Sequence, residues 1–213
     1  MARMSSIEVP LTIRDATAAD APAIGGVRHA SWQAAYAGLM SADYLADLSV
    51  DGFVLSAERM LAGRDDGGVT VLVAELDGVV CGFAAVNPSR DEDIRDVREV
   101  NDVRDGVADV FAGQNGADGQ NGADGQNGTR IGELGSIYVH PDAWGRGIGR
   151  RLQQAGLDRL RASGFTEATL WVLATNTGSK AFYERTGWRA DGGVSDFVAG
   201  AEVLNEERYR RSL

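Results

Sequence analysis

Residues 137–152 read IYVHPDAWGRGIGRRL, and this stretch restricts the fold more than any other. A run with strand character stops at Pro141, and a turn with glycines at 145, 147 and 149 follows. A helix-forming run then begins at about Gly147, with Ile148, Leu152, Ala155 and Leu160 on one side. A strand that turns through glycines into a helix gathers free backbone N–H groups at a positive dipole end, with no Cβ to hold a phosphate away. Arg146, Arg150 and Arg151 add positive charge at the same place. Cations at a helix N-terminus oppose its dipole, so an anion site explains them better than a plain surface turn. Two familiar phosphate loops do not fit. There is no Gly-Lys-Ser/Thr tripeptide for a P-loop, and the last glycine comes one residue too early for a dinucleotide fingerprint.

The rest of the chain alternates between strand and helix patterns. Residues 8–14 alternate as a strand, and residues 17–20 have the form of a capping box before apolar positions at Ile24, Val27, Ser31 and Ala35. Short helices are predicted over residues 41–48 and 56–61. Strands are predicted over residues 69–76 and 79–86, joined by an Asp77-Gly78 hairpin turn. A strand over 135–140, the helix over 147–162 and a buried strand over 167–174 come next. A helix over 179–186 stopped by Gly187 follows, and the tail carries two more strands around Gly192-Gly193 and Gly200. The implied class is α/β (mixed α+β), a mixed sheet with helices.

The chain has 213 residues, 44% hydrophobic and 24% charged, with a formal net charge of −10. That is the balance of a soluble protein of one ordinary domain. No run approaches the ~20 apolar residues of a membrane span, and residues 1–10 lack the apolar core of a secretory signal. Cys81 stands alone, so no intrachain disulfide forms and a cytoplasmic location is expected. The acidity argues against non-specific binding to nucleic acid or an anionic membrane. It is also uneven. Residues 91–130 hold ten Asp and Glu against four Arg, so −6 lies there and −4 elsewhere. Residues 113–128 (GQNGADGQNGADGQNG) place glycine at every third position, without the proline that a collagen helix needs. They read as a flexible, solvated spacer. Before them, Val97, Val100, Val103, Val107 and Val110 have the spacing of a short amphipathic helix. The expected organisation is one domain over residues 1–213, with an acidic and then glycine-rich insertion at about 92–129.

The glycine loop resembles the acyl-CoA pyrophosphate loop of the GNAT superfamily of N-acyltransferases, Gln/Arg-x-x-Gly-x-Gly/Ala. The match falls on Trp144-Gly-Arg-Gly147-Ile-Gly149, with Trp144 at the Gln/Arg place, which removes one polar contact to the phosphates. Residues 176–188 (NTGSKAFYERTGW) resemble the family's Asn-x-x-Ala-x-x-Phe-Tyr-x-x-x-Gly-Phe segment, with Ser179 and Trp188 as mild changes. Residues 13–20, 30–36 and 207–211 are similar to a branch of the same superfamily. The likeness covers nearly the whole chain outside residues 92–129. It implies a GNAT fold: a central mixed, mostly antiparallel twisted sheet, helices on both faces, and splayed fourth and fifth strands. It also implies acetyl-CoA as acyl donor, a primary amine of a small molecule or protein N-terminus as acceptor, and direct attack in a ternary complex. No metal, nucleic acid or membrane partner is expected, and a homodimer is compatible with the resemblance. The cofactor would lie along Ile137, Tyr138 and Val139 and on the loop Trp144, Gly145, Arg146, Gly147, Ile148, Gly149 and Arg150. Asn176 would hold the pantetheine arm or the end of the fifth strand.

Acyl transfer to an amine sets three tasks. The ammonium, of pKa ~10.4 for a lysine-like group, must lose a proton. Charge on the carbonyl oxygen must be stabilised, and the departing thiolate needs a proton or a strong hydrogen bond. For the first task, the resemblance points to Glu133, eleven residues before Trp144, acting through a water. The alternatives are that Glu133 caps the insertion or pairs with an arginine. His140 is a rival because an imidazole of pKa ~6.5 suits a base, although its place beside Pro141 is that of a surface turn residue. For the second task the resemblance implies backbone N–H groups near Tyr138 and Val139. For the third it implies Tyr183, whose phenol of pKa ~10 donates to a thiolate of similar basicity. Trp32 and Tyr36, one helical turn apart, and Trp171 would border the acceptor, unless they are simply core aromatics. The alternative to an enzyme is an acyl-CoA-binding regulatory module that does no chemistry.

Overall fold

The computed structural model describes residues 10–63, 68–91 and 130–213. The expected valine helix and glycine-repeat spacer, and the start of the strand predicted over 8–14, lie outside the described residues. Seven strands form one sheet: β1 (Leu11–Asp15), β2 (Thr70–Leu76), β3 (Val79–Pro88), β4 (Ile131–Val139), β5 (Glu167–Leu173), β6 (Arg189–Ala199) and β7 (Glu202–Ser212). Their order is β1-β2-β3-β4-β5-β7-β6. Every neighbouring pair is antiparallel except β4 with β5, which is parallel. The helices are α1 (Ala21–Ala35), α2 (Ala42–Asp47), α3 (Val50–Ala62), α4 (Ile148–Ala162) and α5 (Thr177–Arg185). The expected α/β class and mostly antiparallel sheet are both present.

Strand alternation sends neighbouring residues of β3 to opposite cores. Ala84 and Val86 pack with Leu134 of β4 under Ile148, Leu152 and Leu157 of α4. Phe83 and Ala85 pack under Ile24 and Val27 of α1 and Met60 of α3. A third cluster joins Trp32 of α1, Phe53 of α3 and Leu173 of β5. Helices therefore cover both faces of the sheet, as the resemblance implies. Among the described residues, no helix is long and apolar enough to cross a membrane.

The element boundaries follow local chemistry. The Thr17/Asp20 capping box is formed, and the Asp77-Gly78 hairpin turn has both residues at positive φ, 56° and 74°, as a mirror-type turn requires. Helix α3 starts at Val50, well before the expected residue 56. Ser49 accepts the Gly52 N–H at 3.0 Å and caps it, while Gly52 and the β-branched Val50 and Val54 had hidden the helix in propensity. Burial of Phe53 overrides that weakness. Strand β4 starts at Ile131 rather than at residue 135, so Glu133 lies inside a strand. Gly192-Gly193 does not end a strand but sits in a register shift within β6, between Ala190 and Val194.

The centre of the sheet is parted. β4 pairs with β5 only at Ile131↔Glu167, Gly132↔Ala168 and Glu133↔Thr169. Beyond Glu133 each strand keeps only its outer neighbour, β3 for β4 and β7 for β5. Opposite Ala85 and Val86 of β3, the register steps from Leu134 to Ser136 and leaves Gly135 without a partner. A bulge of this kind bends a strand out of line, here at the point where β4 leaves β5.

Candidate active site

The parting of β4 and β5 opens a cleft of about 880 Å³, bordered also by α1, the loop into α4, α5 and one residue of β7. Cross-strand partners share a face, which sorts the residues of β4. Leu134, Ile137 and Val139 belong to the α4 core. Glu133, Ser136 and Tyr138 stand opposite Asn87, Ala85 and Phe83 and so face α1 and α3. Leu134, Ser136, Ile137 and Tyr138 all line the cleft, which therefore runs through the sheet from one face to the other.

At the α4 end, Gly145 and Gly147 both have φ of 75°, which L side chains rarely adopt. Gly147 is the N-cap of α4 and contributes no side-chain hydrogen bond. The first intrahelical bond comes from Arg151 N–H to Gly147 O. The amides of Ile148, Gly149 and Arg150 are left facing outward, as in any open first turn. This is a fitting seat for a phosphate-bearing cofactor. Arg150 lines the cleft; Arg146, also expected on the cofactor, does not. Its place in an exposed turn, between two glycines that swing the backbone, accounts for the difference.

The unusual Trp144 has an evident use. Its indole Nε1–H donates to Val139 O at 2.7 Å, and the same oxygen accepts from Ser31 Oγ at 2.9 Å. The loop, the end of β4 and α1 are thereby fastened at one atom. His140 N–H donates to Cys81 O of β3 at 2.8 Å. By alternation the peptide groups of Tyr138 also face β3, and those of Ile137 and Val139 face the cleft. Of the two amides expected near the reacting carbonyl, that of Val139 faces the cleft and that of Tyr138 faces β3. Tyr138 meets the cleft with its ring. His140 does not line the cleft; its Nδ1 accepts from the Asp142 N–H in the following turn.

Asn176 lines the cleft and caps α5, accepting the Ser179 N–H at 3.0 Å. Tyr183 follows on α5, with its ring against Phe182, Trp188 and Tyr209. Burial, and secondarily the nearby Tyr138, push its phenol well above the usual value, so it stays protonated. Among the described residues nothing hydrogen-bonds its hydroxyl.

At the α1 end, Trp32, Tyr36 and Trp171 all line the cleft. Trp32 is also core, 3% exposed, with Tyr36 at 4.9 Å and Phe53 at 5.7 Å between ring centroids. Its Nε1 and the Oγ of Ser136 are buried with no hydrogen-bond partner among the described residues. Glu133 is 5% exposed. Its Oε1 lies 3.1 Å from Arg90 Nη2, and its Oε2 accepts from Arg90 Nε at 3.4 Å. The arginine pairing foreseen as an alternative role is thus real.

Among the cleft residues that the sequence did not point to are Arg90, Ser136, Phe197 and Glu206. Glu206 of β7 pairs with Leu173 of β5, so it shares the α1 face. Burial, and then the charge of Glu133, push its carboxyl up to about 7. No sequence signal marks it, because only the register of β7 brings it to the cleft.

A family model, the acetyltransferase (GNAT) family, matches residues 39–188. The chain belongs to the GNAT family. Among solved structures it is similar to ribosomal-protein-alanine N-acetyltransferase from Brucella melitensis, with a TM-score of 0.61, 23% identity, and coverage of 95% of this chain and 99% of that one. It is also similar to PaiA N-acetyltransferase from Thermoplasma acidophilum, solved with coenzyme A, with a TM-score of 0.60, 18% identity and coverage of 94% and 99%. At these identities the likeness establishes the GNAT fold. A curated relative, mycothiol acetyltransferase from Gordonia bronchialis, is 45% identical over 60 residues, 28% of this chain and 20% of that protein. The chain therefore spans about a fifth of the length of the relative it matches there.

Proposed function

We propose that this GNAT protein transfers an acetyl group from acetyl-CoA to a primary amine, by direct attack in a ternary complex and without a metal. One observation carries the reading: a cleft pierces the sheet, with an open helix N-terminus at one end and the carboxylates of Glu133 and Glu206 at the other. The first-turn amides of α4 and Arg150 hold the donor's phosphates. The Val139 N–H faces the carbonyl oxygen on which charge develops. Tyr183, kept protonated by burial, donates to the departing sulfur. Cys81 is buried against Ala74 O and has no part in the reaction. The acceptor is a cationic amine of a small molecule or protein N-terminus, drawn to the acidic and aromatic α1 end. Residues 92–129 act as an insertion within this one domain, and the lone buried thiol suits a cytoplasmic location.

A panel of primary amines assayed for CoA release tests the reading. Turnover with at least one amine is expected. If acetyl-CoA binds but no amine releases CoA, the protein is a binding module instead.

A further inference from the structure

Two carboxylates reach the acceptor end of the cleft, and their surroundings differ. Glu133 is held from three sides, by Arg90 Nη2 at 3.1 Å, Arg90 Nε at 3.4 Å and Asn87 Nδ2 at 3.5 Å. The Arg90 guanidinium engages both oxygens of that carboxylate, so each is already occupied where an amine would arrive. The carboxylate of Glu206 accepts no hydrogen bond from any described residue. It lines the same cleft from the far side of the strand parting, on β7, where the register opposite Leu173 turns it toward α1. We propose that Glu206 is the catalytic base that binds the acceptor ammonium and takes its proton, while Glu133 serves as a fixed negative charge across the cleft. The inference rests on the acetyl-transfer reading above.

The proton count closes. Glu206 takes one proton from the ammonium and later gives it to solvent. The freed lone pair forms the N–C bond at the thioester carbon as the C–S bond breaks. The electron pair left on sulfur takes the Tyr183 phenol proton, and the second proton shed by nitrogen restores the phenol. The net products are an N-acetyl amide, CoA thiol and one proton.

The electrostatics agree with this division. Burial raises the Glu206 carboxyl to about 7, with Glu133 as the next cause, and a base poised near the working pH transfers protons most effectively. The titratable groups that share the cleft with it are Tyr36 from α1, Glu133 and Tyr138 from β4, Arg150 from α4, Tyr183 and Arg185 from α5, and Arg90 at the rim. The Tyr36 and Tyr183 phenols are both raised and remain neutral where Glu206 titrates. Glu206 also adds to the rise at Tyr36.

The test is kcat/KM for a turned-over amine between pH 5.5 and 9, in wild type, Glu206→Gln and Glu133→Gln. Wild type is expected to rise about tenfold per pH unit to a midpoint near 7 and then level off. Glu206→Gln is expected to lose that acid limb and about 100-fold or more in kcat/KM, with the KM for acetyl-CoA unchanged. Acetyl-CoA binding by the variant shows that it is folded. If Glu206→Gln keeps the limb and its rate while wild type is active, Glu206 is not the base and the acetyl-transfer reading still stands. Loss of the limb in Glu133→Gln alone moves the base to Glu133. Inactivity of wild type toward every amine overturns both readings at once.

Discussion

At the scale of single residues, Trp144 shows how one polar atom substitutes for another. The indole replaces a side chain expected on the phosphates and instead binds Val139 O. Because Ser31 Oγ reaches the same oxygen, losing the indole N–H leaves that carbonyl satisfied. Trp144→Phe is expected to raise the KM for acetyl-CoA by about threefold to tenfold, the worth of one net hydrogen bond, with kcat nearly constant in steady-state kinetics. Tyr183→Phe should do the reverse. Loss of its proton lowers kcat by roughly 10²- to 10⁴-fold, while acetyl-CoA affinity, measured by calorimetry, holds steady. Tyr183 and the glycine loop were legible as residues of the cleft because each sits in a contiguous motif. Glu206 was not. It reaches the cleft only through the pairing of β7 with β5, and a register between distant strands leaves no local trace. Which arginine pairs with Glu133 was similarly hidden, since Arg90 lies 43 positions away.

At the scale of elements, the join between β1, α1 and β2 depends on one buried carboxylate. Asp20 accepts from both Arg14 Nη atoms at 2.8 Å and closes the capping box before α1. Arg14 also binds Glu75 of β2. The Arg14 guanidinium holds the Asp20 carboxyl well below the usual carboxylate range. A carboxylate depressed in the folded state adds stability above its unfolded pKa of ~3.9, and that stability disappears as the pH falls below it. Urea midpoints are therefore expected to start falling near pH 4 and to keep falling down to about pH 2. Asp20→Asn should lower the midpoint at pH 7 and flatten that fall; an unchanged fall would assign the acid sensitivity elsewhere. The capping box was readable in four consecutive residues. Helix α3 was read too short for the opposite reason: Phe53 is secured by tertiary burial, which propensity does not record.

At the scale of the whole molecule, the chain leaves β3 and re-enters β4 where β4 and β5 are still paired, with the acidic residues 92–129 between them in sequence. There Pro88 is paired with Gly132, and β4 still holds β5 through Glu133. The phosphate loop lies beyond the opposite end of β4. Deleting residues 113–128 is therefore expected to leave the melting temperature essentially unchanged by thermal shift and acetyl-CoA affinity within about twofold of wild type by calorimetry, because the strand ends stay paired. The root must be kept. Arg90 holds Glu133, and Asp91 pairs with Arg208 of β7 at 2.9 Å, so a longer deletion that removes them should reduce turnover. The passage through the sheet has a consequence for descent as well as for catalysis. In the acetyl transfer proposed above, donor and acceptor enter from opposite faces and meet largely different elements, so each side can drift without disturbing the other. Lineages sharing this scaffold can inherit the α4 doorway and the proposed base intact while exchanging side chains such as Tyr36 and Trp171 to admit new amines.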